Sequence, residues 1–244
     1  MDFATYAAES RIEEDHWWFV VRREFFAHIM QRYHISKDAR ILDAGTSTGT
    51  NLRLLKGAGY TNYTGLDISE TAIAWCAQKG LGTVQKGDIC AMPFADDTFD
   101  FVLATDIVEH VEDDAAALRE LRRVLKPSGT LLLTVPAFDS LWGLQDEVSH
   151  HHRRYRKAQL KNRIEAAGFG IARLTYFNYI LFAPIWLARQ AIRLLKPNVK
   201  SENQVNNPWI NRILKIVFRL DVASLNYISP PFGVSLLAIL RKNP

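Results

Sequence analysis

Two glycines in the segment DAGTSTGTNL, residues 43–52, are the first residues whose type and spacing suggest chemistry. Gly45 and Gly49 follow a short apolar run and directly precede a helix-like pattern. Glycines at such a turn let the backbone approach a ligand closely, and the start of the helix offers free N–H groups. The spacing G-x-x-x-G differs from the G-x-G-x-x-G of nicotinamide and flavin sites. The turn therefore predicts a ligand-binding site and argues against an oxidoreductase.

Acidic residues recur after the next apolar runs. Asp67 comes 24 residues after Asp43, and a carboxylate at such a strand end can accept hydrogen bonds from two ribose hydroxyls. Asp88 and Ile89 follow the third run and fit contacts with an adenine edge and an apolar wall. Each aspartate alone is equally typical of a helix N-cap. Their order and regular spacing together favour a nucleoside-like ligand.

A second set of polar residues could act on a substrate. The segment TDIVEHVEDD contains Asp106, Glu109 and His110. Three consecutive histidines, 150–152, point in different directions on any regular element, so they rarely form one metal site, but one of them could act as a base. Arg153 and Arg154 could hold a phosphate or carboxylate through forked hydrogen bonds. The alternative is that this pair forms ion bridges to the acidic first half of the chain.

The elements that position these residues alternate between short apolar runs and amphipathic segments, which is typical of βαβ units and a parallel sheet. Residues 1–37 predict an N-terminal helical cap. We predict strands at 40–44, 63–67, 83–87, 99–105, 129–135, 170–177 and 234–241. The predicted helices lie at 50–58, 70–79, 112–125 and 157–167. The connection at 178–231 is longer than a hairpin needs, so we predict a helical insertion there.

Length and composition fit one large α/β domain. The chain has 244 residues, of which 48% are hydrophobic and 23% charged, so a disordered or fibrous class is excluded. The two cysteines, Cys76 and Cys90, give neither a disulfide framework nor a metal-ligand spacing. The first residues show no secretory signal, and the apolar run 176–188 is too short to span a bilayer. We therefore expect a cytoplasmic protein without a transmembrane helix.

Charge is distributed unevenly along the chain. Residues 1–150 hold 14 basic and 23 acidic side chains, whereas residues 151–244 hold 16 basic and 3 acidic ones. Within the insertion, one predicted helix face is apolar and the opposite face is basic; the apolar face holds Trp209, Ile210, Ile213, Leu214, Val217 and Leu220, and the basic face Arg212, Lys215 and Arg219. This pattern favours a membrane surface or a lipid-like substrate, with nucleic acid or a merely solvated face as alternatives.

Several motifs together resemble those of the class I S-adenosylmethionine-dependent methyltransferases. The resemblance covers residues 38–177 and is carried by ILDAGTSTG, GLDIS, GDICAMPF, FDFVLATDIVEHV and LRRVLKPSGTLLLTVP. It implies a Rossmann-like, seven-stranded, mostly parallel sheet with helices on both faces. In this family the last strand is antiparallel and lies between the fifth and sixth. Residues 232–244 would then return to the core sheet as that last strand.

The resemblance also implies a cofactor site for S-adenosylmethionine and its product S-adenosylhomocysteine. Gly45 and Gly49 would pass close to the amino-acid part of the cofactor, Asp67 would hold the ribose, and Asp88 and Ile89 would flank the adenine. The same site would include Asp43, Thr46, Ile68 and Thr105. The family commonly has D-x-G-x-G-x-G, whereas Ser47 stands at the middle glycine. A serine can occupy a turn, so we expect cofactor binding to persist.

Three further segments resemble a bacterial branch of these enzymes that is linked to cell-surface lipid or polysaccharide assembly. The segments are EEDHWWFVVRRE (13–24), DEVSHHHRRYRKAQL (146–160) and PFGVSLLAIL (231–240). That branch commonly has G-H-x-R-R-Y, so His151, Arg153, Arg154 and Tyr155 match and His150 replaces the glycine. This match makes His151 our preferred base and places the two arginines and Tyr155 at the acceptor.

The acidic cluster after the fourth strand resembles the E-x-x-E-H motif of ubiquinone-pathway O-methyltransferases, in which a divalent cation is held, with Asp106 in place of the first Glu. The alternative, which we favour, is that the segment packs and caps the next helix, so we assign no metal ligand and keep Asp106 and His110 as candidate catalytic residues. Trp17 could close over the ligand or simply pack in the core, and Tyr179 is a candidate acceptor contact.

The sequence thus predicts methyl transfer to a small or lipid-linked acceptor, most plausibly at oxygen. The insertion could be a lid, a wall for an apolar acceptor, a membrane foot at the inner membrane face or a dimer interface, and the oligomeric state is left open. A nucleic-acid methyltransferase is one rival, although TDIVEH stands where an N-P-P-Y or D-P-P-Y signature is expected. A membrane-associated scaffold that has lost catalysis is a second rival. Cofactor titration separates the scaffold from the enzyme.

Overall fold

The computed structural model describes residues 3–195 and 207–243. The predicted insertion at 178–231 therefore includes residues 196–206 that lie outside the described residues. Nine α-helices are described: α1 (Phe3–Ile12), α2 (Trp17–Arg32), α3 (Thr50–Gly57), α4 (Glu70–Gln78), α5 (Asp114–Val124), α6 (Leu144–Val148), α7 (Lys157–Ala166), α8 (Phe182–Leu195) and α9 (Pro208–Ser224). Short 3₁₀ helices occupy Val108–His110 and Asp139–Leu141.

Seven strands form one mixed sheet. They are β1 (Ile41–Ala44), β2 (Tyr63–Asp67), β3 (Val84–Lys86), β4 (Phe99–Thr105), β5 (Leu125–Pro136), β6 (Phe169–Phe177) and β7 (Ser235–Lys242). Their spatial order is β3-β2-β1-β4-β5-β7-β6, and only β7 runs antiparallel to its neighbours. The predicted α/β fold is confirmed, including the antiparallel last strand between the fifth and sixth.

The element boundaries differ from the predicted ones by a few residues. The largest difference is at β5, which begins at Leu125 although the prediction placed its start at residue 129. Helix α5 ends one residue earlier because Leu125 already has an extended backbone, and the residue before Pro127 is biased away from helix. The predicted N-terminal cap consists of two helices, and the side chain of His16 caps the second by accepting a hydrogen bond from the Trp18 N–H, at 3.4 Å.

The sheet is covered on both faces, which explains the apolar runs in its central strands. On one face, Leu42 and Val102 pack with α5 and α7. On the other, Ile41 and Phe101 pack with α2, α3 and α9. Helix α9 is held against α2 by aromatic contacts, since the Phe218 ring stacks on Trp18 with a centroid distance of 5.4 Å. Helices α2 and α9 therefore lie on the same face of the sheet.

Helix α9 lies where the sequence predicted an amphipathic helix, but its apolar face points in a different direction from the one expected. Its core-facing residues are Asn211, Phe218 and Asp221. The predicted apolar face points largely to solvent, and Trp209 is 75% exposed. The reason is that α2 and the loop after β6 bind the polar residues of α9, which turns its apolar stripe outward. None of the described helices is both long enough and apolar enough to cross a membrane.

Candidate active site

One cavity of about 730 Å³ lies at the carboxyl ends of β1, β2 and β4. This edge, where the strand order reverses between β1 and β4, is where open α/β sheets bind ligands. The cavity has two walls. The first, which we call the turn wall, is formed by the loop after β1 with Asp67 and Thr105; the second, the histidine wall, is formed by Glu109, His110 and the 150–152 segment.

The glycine turn has the backbone geometry that only glycine accepts easily. Gly45 has φ +80°, and a Cβ atom there would lie 2.6 Å from the side chain of Ile107. Gly49 has φ +90° and directly precedes α3. Ser47, which replaces the middle glycine, has φ +49°, and its N–H donates to Asp67 Oδ2 at 2.8 Å. Ser47 therefore keeps the tight turn, and the bond to Asp67 holds it in place.

Asp43 lies beneath this turn and is fully buried. Its Oδ1 accepts a hydrogen bond from Asn51 Nδ2 at 2.9 Å, and the same amide donates to Thr105 Oγ1 at 2.8 Å. Asp43 Oδ2 has no hydrogen-bond partner among the described residues. Burial raises the pKa of Asp43 to about 7. Asn51 thus links the ends of β1 and β4 directly below the cavity.

The N-terminal helices close the turn wall from above through Glu13, a residue that the sequence analysis did not single out. Glu13 is fully buried and binds Lys79 Nζ at 2.7 Å and the Thr48 hydroxyl. Arg23 donates to the Glu13 carbonyl at 2.6 Å and to Thr50 Oγ1 at 3.0 Å. These contacts fasten the end of α1 to the glycine turn. The motif EEDHWW contained the signal, since an acid there is the natural partner for the basic residues around the turn.

Trp17 lines the cavity and also packs against the core. Its ring lies edge-on to Phe218, with a centroid distance of 5.5 Å, and closure over a ligand stays a prediction. The backbone N–H of Trp17 donates to Asn211 Oδ1 at 2.6 Å, so the start of α2 is bound to α9. The aromatic pair at the start of α2 therefore joins the cavity to the inserted helices.

Asp106 binds a cation of the cap instead of joining the histidines. Arg22 Nη2 lies 2.6 Å from Asp106 Oδ2, and Thr134 Oγ1 donates to Asp106 Oδ1 at 3.0 Å. The Arg22 guanidinium also lies over the Trp18 ring, 4.8 Å from its centroid. Asp106 has φ +53°, a conformation that is uncommon outside glycine. This ion pair lines the cavity between its two walls.

The histidine wall is built around a buried carboxylate, Asp146. His151 Nδ1 lies 2.8 Å from Asp146 Oδ1, and Arg154 binds both oxygens of Asp146 at 2.8 and 2.9 Å. Burial alone would raise the pKa of Asp146, but the His151 bond and the Arg154 charge lower it well below the ordinary aspartate value. The carboxylate therefore stays charged and fixes His151 through Nδ1, which leaves Nε2 for the cavity.

Glu109 lies opposite His151. It is fully buried, and its Oε1 is 4.0 Å from His151 Nε2, while neither oxygen has a hydrogen-bond partner within the described part of the chain. Burial and the nearby Asp106 charge raise the pKa of Glu109 well above its ordinary value. The His110 ring stands perpendicular to that of His151, with a centroid distance of 4.5 Å. Ligand atoms of these three residues lie within 4.8 Å of one another, a spacing that a divalent ion could bridge.

Several predicted acceptor residues lie outside the cavity lining. Arg153 binds Asp114 at 3.2 Å, and the buried Tyr155 hydroxyl donates to the same carboxylate at 2.9 Å. The Tyr179 hydroxyl lies 3.0 Å from Ser224 Oγ. Arg154 does line the cavity, but its guanidinium binds Asp146. The geometry thus favours the ion-bridge alternative for both arginines, and an acceptor role for these residues stays a prediction.

The two residues expected to flank an adenine also lie apart from the cavity lining. Asp88 is exposed and its Oδ1 accepts the Cys90 N–H at 2.8 Å, which is a local turn contact. Ile89 is buried in the core beneath the sheet. Ile68, by contrast, lines the cavity and is 66% exposed. Ile68 is therefore the apolar residue that the turn wall offers beside Asp67.

Comparisons with known proteins agree with this geometry. Residues 42–133 match the methyltransferase domain family. The chain is 31% identical over 183 residues to a malonyl-[acyl-carrier protein] O-methyltransferase of Erwinia pyrifoliae, covering 72% of this chain and 68% of that protein. The chain belongs to the class I S-adenosylmethionine-dependent methyltransferases. The family membership carries the expectation that S-adenosylmethionine binds at the turn wall.

Two further comparisons show how far the similarity to known proteins extends. A demethylmenaquinone methyltransferase of Staphylococcus epidermidis is 33% identical over 130 residues, which are 48% of this chain and 54% of that protein. The chain thus spans about half the length of that curated relative. The methyltransferase in a complex with the Haloferax volcanii activator Trm112 superposes with a TM-score of 0.65, at 20% identity, over 99% of this chain and 96% of that one. At this identity the likeness shows the fold alone.

The residues at the turn wall of this methyltransferase fit the cofactor. Gly45 lines the cavity, and because it has no side chain its backbone can lie close to a ligand. Ser47 lines the cavity, and its buried Oγ has no hydrogen-bond partner in residues 3–195 and 207–243, so a polar ligand group can use it. Asp43, also predicted for this site, is fully buried and lies outside the cavity lining, so a direct contact with the cofactor stays a prediction. Asp67 is 8% exposed and lines the cavity at the end of β2, as a ribose ligand requires.

Proposed function

We propose that the protein transfers a methyl group from S-adenosylmethionine to an oxygen atom of a small or lipid-linked acceptor. The observation that carries this proposal is that one cavity joins the glycine turn to the imidazole of His151. The cofactor supplies a sulfonium methyl group that is already a strong electrophile. The chain itself has to bind both partners in line, exclude water and accept the acceptor proton.

His151 is the base in this proposal. Asp146 binds its Nδ1 at 2.8 Å, which favours the tautomer in which Nε2 can accept a proton from a hydroxyl group. The charged Asp146 then stabilises the imidazolium that forms, as a carboxylate does in related base–carboxylate pairs. Glu109 and His110 border the same space. Glu109 Oε1 and His151 Nε2 are 4.0 Å apart, so a hydroxyl oxygen to one side of them can be within hydrogen-bond distance of both. His110 and Asp106 serve as positioning residues.

The acceptor is expected to carry an apolar part. The far end of the cavity is lined by apolar side chains of the inserted helices: Ile185, Ala188 and Ile192 of α8, and Ile210 and Leu214 of α9. Such a wall makes few favourable contacts with a purely ionic substrate, so it favours an amphiphilic one. The relative named as an O-methyltransferase supports oxygen as the methylated atom. We accordingly propose that the protein binds its acceptor at the inner face of the membrane.

Calorimetric titration with S-adenosylmethionine and S-adenosylhomocysteine tests the first half of the proposal. Methyl transfer from labelled cofactor into lipid extracts and into aqueous extracts then tests the acceptor class. His151→Ala should bind S-adenosylhomocysteine like the wild type but lose about 10²–10⁴-fold in turnover, the usual contribution of a general base. The exposed His28→Ala is the matched control and should keep both properties.

Two results would contradict this assignment. Absence of cofactor binding at millimolar concentration would leave a retained fold without catalysis. Full turnover by His151→Ala would remove His151 from the reaction while leaving the cofactor half intact. Loss of both cofactor binding and turnover in that variant would give His151 a structural role.

A further inference from the structure

Helix α9 presents an apolar stripe to solvent. Trp209, Ile213 and Leu220 are 75%, 59% and 62% exposed, and Ile216 lies between them on the same side of the helix at 52%. Their spacing of three to four residues places them one above the other. A surface helix normally turns its apolar side to the core, so a stripe of this length facing outward marks an interaction surface.

Polar contacts on the inner side fix this orientation. Asn211 accepts the Trp17 N–H at 2.6 Å and donates to the Asp15 carbonyl at 2.7 Å. The buried Asp221 carboxylate accepts the N–H groups of Asn178 and Ile180, each at 2.8 Å. Turning α9 to bury its stripe would leave these buried groups without partners. The outward direction is therefore built into the fold.

Basic side chains run beside the stripe. Arg212, Lys215 and Arg219 follow each other at three- and four-residue spacing. Arg219 pairs with Glu24 at 2.7 Å, whereas Arg212 and Lys215 have no carboxylate partner in the part of the chain that the structure describes. An apolar stripe with cations at its border, and a tryptophan at its start, has the composition that binds the headgroup region of an anionic bilayer.

Helix α8 repeats the arrangement. Its inner residues Ile185 and Ile192 line the cavity, while Leu187 and Leu194 are 60% and 83% exposed. Likewise, Ile210 and Leu214 of α9 line the cavity next to the exposed stripe. Both inserted helices are thus apolar toward the cavity and toward solvent. Ile210, which lines the cavity and is 46% exposed, lies at the border between the cavity and the outer surface.

We propose that the outer faces of α8 and α9 bind an anionic bilayer surface, and that a membrane-resident amphiphilic acceptor enters the cavity past Ile210 and Leu214. The partner is the lipid headgroup region, with Arg212 and Lys215 contacting phosphate groups. The inference rests on the proposed function for the identity of the acceptor, but the binding surface itself depends only on α8 and α9. It selects the membrane foot among the roles considered for the insertion.

Sedimentation with vesicles tests the surface, using phosphatidylcholine alone and phosphatidylcholine mixed with phosphatidylglycerol. The wild type should sediment with the anionic vesicles, and less so at high salt. The double variant Ile213→Ser/Leu220→Ser and the variant Arg212→Glu should each lower vesicle partitioning about tenfold or more. Arg119→Glu, a charge reversal at an exposed arginine of α5, is the matched control and should partition like the wild type.

Cofactor titration of the same samples separates this inference from the proposed function. None of the four substituted residues lines the cavity, so all variants should bind S-adenosylhomocysteine normally. Vesicle binding without cofactor binding would keep the surface and reject the enzyme. Wild type that binds cofactor but stays in the supernatant with both vesicle types would overturn the surface, as would unchanged partitioning of the double variant. A dimer that Ile213→Ser/Leu220→Ser dissociates would assign the stripe to a second copy and likewise overturn it.

Discussion

Asp43 in the turn wall and Asp146 in the histidine wall are both fully buried carboxylates, yet their surroundings differ in kind. Asp43 receives a hydrogen bond from the neutral Asn51 amide, and burial raises its pKa. Asp146 binds the Arg154 guanidinium through both oxygens, and its pKa is lowered despite its burial. Asp43 beneath the turn wall is thus held by a neutral partner, whereas Asp146 in the histidine wall is held by charge.

This contrast separates the part of the site that follows from the shared fold from the part that is particular to this chain. The turn wall comes from the ends of adjacent parallel strands, so its place follows from the sheet topology. The histidine wall joins Glu109, Asp146 and the inserted helix residue Arg189, whose guanidinium lies 3.7 Å from Asp146. Three separate segments must pack correctly to form it. We infer that acceptor choice is determined by the histidine wall.

The largest effect is expected from breaking the charge network of the histidine wall. Asp146→Ala would leave the buried Arg154 guanidinium without its counter-ion, which costs about 3–5 kcal/mol of unfolding free energy. Denaturant unfolding of the variant and the wild type measures this. Glu165→Ala, which removes one partner of the exposed pair with Lys161 at 3.6 Å, is the matched control and should change stability by less than about 1 kcal/mol.

The double variant Asp146→Leu/Arg154→Met sharpens this prediction. It removes the Asp146 and Arg154 charges together, so it should regain the part of the lost stability that comes from the unpaired Arg154. The Arg189 guanidinium, which lies 3.7 Å from Asp146, keeps the remaining part of the loss. A cost below 1 kcal/mol for Asp146→Ala would show that the histidine wall does not depend on the ion pair, and the contrast between the two walls would fail.

A smaller effect is expected at the turn wall, on cofactor affinity. Asp67→Ala should weaken S-adenosylhomocysteine binding by about 1.5–3 kcal/mol, the contribution of hydrogen bonds to a charged group. Calorimetry of Asp88→Ala is the matched control, because Asp88 is exposed and lies outside the cavity lining. The family resemblance predicts a loss for both variants, whereas the structure predicts a loss for Asp67→Ala only. Unchanged affinity in Asp67→Ala would remove Asp67 from the ribose assignment.

The turn wall could be predicted from sequence because its determinants are local. A buried strand, a glycine turn and a helix start within the residues 41–50 fix where Gly45 and Gly49 lie, and the regular strand spacing then places Asp67 beside them. The order of the sheet followed from the resemblance and not from periodicity. Asp88 and Ile89 were placed by the same spacing, but β3 is only three residues long and neither residue lines the cavity, so their contact with an adenine stays a prediction.

The histidine wall could be predicted only in part because its determinants are long-range. His151 was found through its motif, but its partner Asp146 is revealed only when the segment folds back on itself. Asp106 was grouped with Glu109 by sequence spacing, whereas the folded chain pairs it with Arg22, 84 residues away in sequence. The outward direction of the α9 stripe could likewise not be predicted from the hydrophobic periodicity. A helical pattern shows which residues share a face but not where that face points.

The smallest effect, taken per pH unit, is the pH dependence of the turn wall, which depends on Asp43. Its pKa is about 7 when folded and near its ordinary 3.8 when unfolded. Between these values the folded chain holds a proton that the unfolded chain releases, so this group stabilises the fold fully below about pH 4 and loses that contribution as pH rises toward 7. Asp146 has the opposite sign, because its lowered pKa contributes stability that is lost on acidification.

Asp43→Asn removes the contribution of Asp43 to the pH dependence of the unfolding free energy. The stability of the variant minus that of the wild type should rise between about pH 4 and pH 7, by at most about 1.4 kcal/mol per pH unit, and level off above pH 7. Denaturant unfolding at several pH values without cofactor measures this, and other titrating groups cancel in the difference. A difference that is constant with pH would mean that Asp43 is charged in the folded chain, and both buried carboxylates would then be held by charge after all.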